Sequence, residues 1–444
     1  MGLTRSIARF IVETDDADIP QDAYEHAKVA FMDWMAVTLA GKDDPLVAKL
    51  IHHSDVMGGY EQATILGHGL KKNIAHAALI NGAASHALDY DDSMKLFVGH
   101  PTVTLYPSLL AISEWKEMRG RDLLAAYLIG LQAASAIGSC GGMEHYMHGW
   151  HATSTIGHFA SASGCARLMK LDKQQTVYAL GIAGTQCSGL KSAFGTMCKP
   201  FHAGKASQSG LMAAMLAGDG FTGAENIVEG DAGFINVLNG KVNADADNVL
   251  TNKWHVDELM QKYHASCHAT HSPIEGARLI VDEEGIDIVD IKSIKLYVSQ
   301  LAVGAAGKTS PKTGLEGKFS ISYCVANALL RKDTGNKAFS DEKVNDPQII
   351  ALMDKISVEV KNEYKMVETI VEITTGSGKI YTRSADVMTD VLDIEAKKTK
   401  IKDKFIDLST PVLGKKKTEQ LLEFITNLDK VDNVKTMIEC MRMV

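Results

Sequence analysis

The sequence is poor in the features that would assign a function at once. Its seven cysteines (140, 165, 187, 198, 267, 324 and 440) are odd in number and widely spaced, and no CxxC pair occurs. This argues against a disulfide framework or an iron–sulfur cluster and fits a reducing compartment. No apolar run approaches the roughly 18 residues needed to cross a bilayer. The opening MGLTRSIARFIV lacks the apolar core and cleavage site of a signal peptide. A cytoplasmic location is therefore expected. Gly2 and Ser6 fit a loose acylation pattern, but no polybasic second anchor follows, and the stretch reads better as a first amphipathic helix. Positive charge is also in deficit: 46 Lys and Arg against 54 Asp and Glu give a net charge of -8, which argues against nucleic-acid binding.

Familiar catalytic motifs are missing as well. There is no HExxH and no GxSxG elbow. A phosphate loop fails on spacing, because eight residues separate Gly195 from Gly204 and Ala206 stands where Ser or Thr would hold magnesium. No internal repeat or low-complexity tract appears. What remains is an ordinary globular composition, with 45% apolar and 23% charged residues over 444 positions.

To about residue 270 the periodicity is helical. Behind Pro20, residues Ala27, Ala30, Phe31, Trp34, Met35 and Thr38 recur with helical spacing, and Gly41 ends the run. Segments 73–88, 122–137, 152–169 and 205–217 are Ala-rich, with small residues on several faces, which suits close packing in a large helical core. After about residue 288 the pattern alternates. Ile294, Leu296 and Val298, then Ile356, Val358 and Val360, then 367–375, predict strands, and GSGK at 376–379 predicts a hairpin turn. Helices are expected near 318–331 and 347–354. From 395 the chain turns helical again, and Lys397, Lys398, Lys400, Lys402, Lys404 and 415–417 are expected on solvated faces. The fold class is thus mainly α: a large all-helical domain (1–268, rejoined by 395–444) with a smaller α+β lid domain (269–394).

Eleven of the 16 histidines lie between residues 86 and 271. Four stretches gather them with lysines and carboxylates: ALDYDDSMKLFVGHP, HYMHGWHATSTIGH, MCKPFHAGKA and KYHASCHATHSPIEGA. A metal reading of His145, His148 and His151, or of Cys267, His268 and His271, finds no established ligand pattern, so no metal is expected. Lysine suits a substrate carboxylate, and histidine suits proton transfer near neutral pH. Together they suit proton abstraction beside a carboxylate, where developing charge must be stabilised. KPFHAGKA reads as a turn that opens a helix at about 205. Gly204 would let the backbone approach closely, and Lys205 would lie at the helix start or a dimer contact. Asp91 and Asp92 can equally cap a helix or pair with a lysine.

LDYDD with GHP, GWHATSTIGHFASASGCARLMKLD, KPFHAGKASQSGLMAAMLAGDGFTGAENIVEGDAGF, KYHASCHATHSPIEGA and PKTGLEGKFSISYCVA occur in this order. Together they resemble the MmgE/PrpD family over nearly the whole chain. That family includes 2-methylcitrate dehydratase, cis-aconitate decarboxylase and iminodisuccinate epimerase. The resemblance implies a cofactor-independent enzyme acting on a small polycarboxylate and assembling as a homodimer. It implies catalytic roles for His100, His151, Lys199, Lys262 and Tyr323, and substrate-binding roles for Asp89, Ser93, His202, Cys267 and His271. Cys267 departs from the decarboxylases, which carry a histidine five residues after the lysine. A 2-methylcitrate dehydratase-like lyase is the first expectation. An epimerase or a cis-aconitate-type decarboxylase is the alternative within the family, and a non-catalytic polycarboxylate-binding protein is the rival from another class.

Overall fold

The computed structural model describes residues 2–238, 241, 243, 245–365, 367–387 and 393–441. The chain divides into two compact units. One comprises Met1–Gln261 with Lys397–Val444, and the other comprises Lys262–Ala396.

The first unit is helical. The N-terminal stretch forms the helix Leu3–Glu13, with Ser6, Ile7 and Ile11 buried. Trp34, Tyr106, Phe31 and Tyr127 fill the core, with the Tyr106 and Tyr127 rings stacked 4.1 Å apart. Three helices rich in small residues, Ile74–His86, Ala152–Leu168 and Cys198–Gly218, pack against one another in pairs centred on the last. Glycine makes this possible. A Cβ on Gly204 would lie 2.1 Å from the Leu79 carbonyl, and one on Gly210 would lie 2.4 Å from the Ser161 Cβ. Gly204 therefore serves a helix crossing; the sequence had suggested an approach to a ligand. The helix also begins at Cys198, seven residues before the expected start, with Pro200 in its first turn, where proline is tolerated. Lys205 lies inside this helix and donates to Gln208 at 3.1 Å.

Two other expectations need correction. The first unit also holds an antiparallel pair, β1 (Ala63–Ile65) and β2 (Leu70–Lys72), whose strands are too short to show alternation. And Lys397 and Lys404 are buried, although they belong to a Lys-rich segment. Their i, i+7 spacing puts both on the inward face of the helix Ile394–Leu413. Lys397 donates to the Asp257 carbonyl at 3.0 Å. Lys404 meets Asp33 at 2.6 Å and donates to the Tyr90 carbonyl at 2.7 Å. A buried ammonium persists only with such partners.

The second unit is α+β. Its sheet runs β4 (Ile356–Val360), β3 (Ile291–Val298), β5 (Glu368–Thr375), β6 (Ile380–Asp386), with β3–β4 parallel and the other pairs antiparallel. Ile294, Leu296 and Val298 of β3 and Val371 and Ile373 of β5 form one buried face. The helices His271–Glu284 and Ile321–Arg331 supply the other side of that core. The hairpin closes at GSGK, with Gly378 at φ 83° and its N–H donating to the Thr375 carbonyl at 2.9 Å. Among the described residues no helix is long and apolar enough to cross a membrane.

Candidate active site

Six of the expected residues belong to the first unit. The helix Ile74–His86 delivers His86 as its last residue, and the chain then loops through Asp89, Asp91 and Ser93 to His100. This loop is held at several points. Ser93 and Met260 exchange backbone hydrogen bonds at 3.0 and 2.9 Å, and the His100 N–H donates to the Thr153 hydroxyl at 3.1 Å. Asp89 and Val98 adopt the left-handed conformation, at φ 51° and 53°. For a β-branched residue such as Val98 that is a strained state. His151 occupies the position before the helix Ala152–Leu168 without a side-chain capping bond, and Lys199 and His202 share a face of the helix Cys198–Gly218 at i, i+3.

The side chains of Asp89, His100 and Lys199 meet, as do those of His151 and His202. Lys199 Nζ is 2.9 Å from Asp89 Oδ1, and His100 Nε2 is 3.8 Å from the same oxygen. His151 Nδ1 and His202 Nδ1 are 3.0 Å apart. The His151 ring lies 6.1 Å from that of His86, nearly parallel, and meets Phe194 edge-on at 4.8 Å. Behind them, Asp91 is fully buried between His86 and His100, each Nδ1 lying 2.9 Å from it.

Burial pushes the His151 imidazole well below the ordinary histidine range, and the neighbouring His86, His100 and His202 imidazoles and the Lys199 ammonium add to the effect. Burial lowers His86 to about 4 against the opposing pull of Asp91. Burial alone would raise Asp91, but the two imidazoles override it and hold the carboxyl well below its usual range. Its neighbour Asp92 goes the other way. Burial pushes it well above the carboxylate range despite the Thr102 hydrogen bond, and Asp33 and Asp91 contribute. Neither aspartate is a helix cap or a lysine partner of the kind the sequence suggested.

The cluster also offers a candidate set of metal ligands. His86, Asp89, Asp91 and His100 each place a ligand atom within 4.8 Å of the others. However, an ammonium already faces Asp89, and two imidazole nitrogens already face the Asp91 carboxylate. A cation would have to displace that ammonium and those imidazole protons, so the donor set fits a hydrogen-bonded cluster better than a metal centre. His145, singled out with His148 for a possible metal, is committed to the Leu238 carbonyl and the Thr155 hydroxyl.

The other four residues lie in the second unit. Lys262 is its first residue and is buried. The Cys267 N–H donates to the Lys318 carbonyl at 3.0 Å. His271 opens its helix and is buried against the rings of His264 and His268, both 4.8 Å away. Burial, with His264, His268 and Lys262, pushes its imidazole far down. Tyr323 is fully buried, and its hydroxyl donates to the Ala338 carbonyl at 2.5 Å. That places the phenol in the unit's core, where proton transfer would first require this bond to break. All seven cysteines are outside disulfides.

His86 was missed from sequence. Its only signal was a histidine at the end of a predicted helix, five residues before Asp91.

Comparison with known proteins agrees with the sequence motifs. Residues 5–247 match the MmgE/PrpD N-terminal domain and residues 264–430 match the MmgE/PrpD C-terminal domain. The chain belongs to the MmgE/PrpD family. Its similar proteins include the cis-aconitate decarboxylase of Aspergillus terreus, 24% identical over 99% of this chain and 95% of that protein. The cis-aconitate decarboxylase of Mus musculus is 22% identical over 99% and 93%. That of Homo sapiens is 21% identical over 97% and 93%.

Proposed function

We propose that the protein is a lyase that acts beside a carboxylate of a small di- or tricarboxylate without a metal or organic cofactor, and that it dehydrates a hydroxy acid of the 2-methylcitrate type. The observation that carries this reading is the meeting of Lys199, Asp89 and His100, an ammonium and an imidazole nitrogen around one carboxylate oxygen. Lys199 would turn from Asp89 to a substrate carboxylate and stabilise the charge that develops next to it. One imidazole of the pair His100 and His151 would take the proton from the carbon beside the carboxylate. The C–H electrons form the double bond, and the hydroxyl leaves as water with a proton from the second group. A polyanion beside His151 opposes the forces that depress its basicity and returns it towards the neutral range. Ser93 and His202 are proposed to serve this substrate, and the roles expected of Lys262, Cys267 and His271 are tested by substitution: Lys262→Ala should lower turnover.

Decarboxylation is the second reading, favoured by the names of the similar proteins and opposed by Cys267. The test is an NMR-monitored incubation in D2O with 2-methylcitrate, citrate, cis-aconitate and iminodisuccinate. Loss of water from a hydroxy acid supports the proposal. Release of CO2 from cis-aconitate replaces it with the second reading, and inversion at a substituted carbon points to an epimerase. Binding without exchange or turnover leaves a polycarboxylate-binding protein. Activity should survive EDTA and dialysis; loss with EDTA and recovery with one divalent ion would overturn the metal-free reading and point to the His86 cluster as its site. The homodimer is checked by light scattering.

A further inference from the structure

The Asp91 carboxylate lies between two imidazoles in a fully buried position. His86 Nδ1 lies 2.9 and 3.0 Å from its two oxygens, and His100 Nδ1 lies 2.9 Å from Oδ2. His100 Nδ1 is also 2.7 Å from the Asp92 backbone carbonyl. Neither a carbonyl nor an ionised carboxylate has a proton to give. Nδ1 of His100 must therefore be the donor, and its Nε2 is the nitrogen turned towards Asp89 and Lys199. The same logic protonates His86 at Nδ1. Its Nε2 is buried and has no hydrogen-bond partner, which a charged imidazole would not tolerate.

We propose that Asp91 is a positioning residue for His100, braced from behind by a neutral His86, and that the pair locks His100 in the tautomer whose bare Nε2 faces the substrate. The proposal rests on the reading of His100 as a proton-transfer residue. His86 occupies the end of its helix, Asp91 the loop and His100 the residue before Pro101, so the three groups are linked by short stretches of chain. Asp89, Asp91, His86 and Lys199 are the titratable groups around His100, and His151 lies beyond His86. An imidazole oriented through one nitrogen by a buried carboxylate is prepared to exchange a proton through the other. His86 adds what a lone carboxylate would lack. Its N–H stabilises the buried negative charge without neutralising it.

The test begins without a substrate. In the full-length protein labelled with 15N-histidine, ring correlation spectra should show His100 protonated at Nδ1 and bare at Nε2, with the resonance assigned by its loss in His100→Asn. Protonation at Nε2 overturns the proposal, and this holds even if no substrate is ever turned over, so its failure is separable from failure of the lyase reading. Asp91→Asn should shift the His100 signal towards mixed tautomers and lower kcat by about 10²-fold or more, while KM stays within about threefold. Asp91→Glu should recover part of kcat. An unchanged tautomer and unchanged kcat in a folded Asp91→Asn variant would overturn the positioning role. If that variant does not fold, His86→Leu removes one donor from the same carboxylate, and a wild-type tautomer and rate there would overturn the bracing role.

Discussion

Lys199 and His151 have neighbours that suit different tasks, and substitution should separate them. Lys199 contacts Asp89 by charge and faces the Phe194 ring, with Nζ 5.5 Å from its centroid. A lysine that holds a substrate carboxylate and the charge developing from it acts in both ground and transition states. Lys199→Ala should therefore weaken binding and turnover together. His151 is buried beside His202, and that burial holds its imidazole well below the ordinary histidine range. His151→Gln should leave binding nearly intact and reduce turnover by roughly 10²-fold or more, the usual range for losing an acid or base. Isothermal titration with a non-reacting tricarboxylate and steady-state kinetics read the two effects; near wild-type turnover in His151→Gln removes it from proton transfer. At this scale the sequence exposed residue types but not their partners. LDYDD showed carboxylates near GHP. That Asp91 faces two imidazoles while Asp92 turns inward to Thr102 depends on a loop with left-handed residues at 89 and 98. Such a loop has no periodicity to read.

The helices that carry the site are set by their small residues. Gly204 lies where Cys198–Gly218 crosses Ile74–His86, and these helices carry Lys199, His202 and His86. A methyl group at 204 meets backbone, the Leu79 carbonyl at 2.1 Å and the Ala83 nitrogen at 2.9 Å, so neither helix can yield by turning a side chain. Gly204→Ala should destabilise the protein by about 1–3 kcal/mol, in the range of overpacked cores. Urea unfolding followed by circular dichroism measures this. Gly218→Ala is the control: its nearest contact is the tip of Leu171 at 3.3 Å, and it should be neutral or mildly stabilising. An equal loss in both variants would show a general dislike of alanine, with nothing special about the crossing. Helices 74–86, 120–138 and 152–168 were legible to within two residues, since their Ala-rich repeats are long. The start of the helix at Cys198 was not, because Lys-Pro-Phe-His reads locally as a turn. The proline falls in the first turn, where its missing N–H costs nothing.

Across the whole chain, the change from helical to alternating periodicity near residue 288 was legible because each pattern persists over several elements. The burial of lysines in the last segment was not, since composition alone describes a solvated helix. Lys404 and Asp33 lie about 370 residues apart in sequence and are both buried. Lys404→Ala would remove an ammonium from the buried Asp33 carboxylate and should cost up to about 3–5 kcal/mol by urea unfolding. A loss below about 1 kcal/mol, the range of surface pairs, would mean the pair is solvated in solution.

A second property of the whole molecule is its response to acid. His158 is fully buried, its Nδ1 lies 2.6 Å from the Ser154 carbonyl, and its Nε2 has no hydrogen-bond partner. Burial lowers it to about 4, the Ser154 hydrogen bond opposing, whereas an unfolded histidine titrates near 6.5. Between these values the unfolded chain binds a proton that the folded chain refuses. Stability from this group is complete above about pH 6.5, falls as pH drops to about 4, and then levels off. The slope is about 1.4 kcal/mol per pH unit for one such proton. His86 contributes in the same window, since its imidazole is also held at about 4. Asp91 adds a further loss at lower pH, as its depressed carboxyl takes up a proton. Asp92 has the opposite sign. Its raised carboxyl binds a proton that the unfolded chain has released, so it favours the folded state towards acid. Unfolding free energies from urea titrations at half-unit steps between pH 7 and 4 should therefore fall steeply. In His158→Gln the slope should be shallower by up to about 1.4 kcal/mol per pH unit, whatever that variant's absolute stability. Parallel curves for the two proteins would mean that His158 is reached by solvent and titrates normally in the folded state.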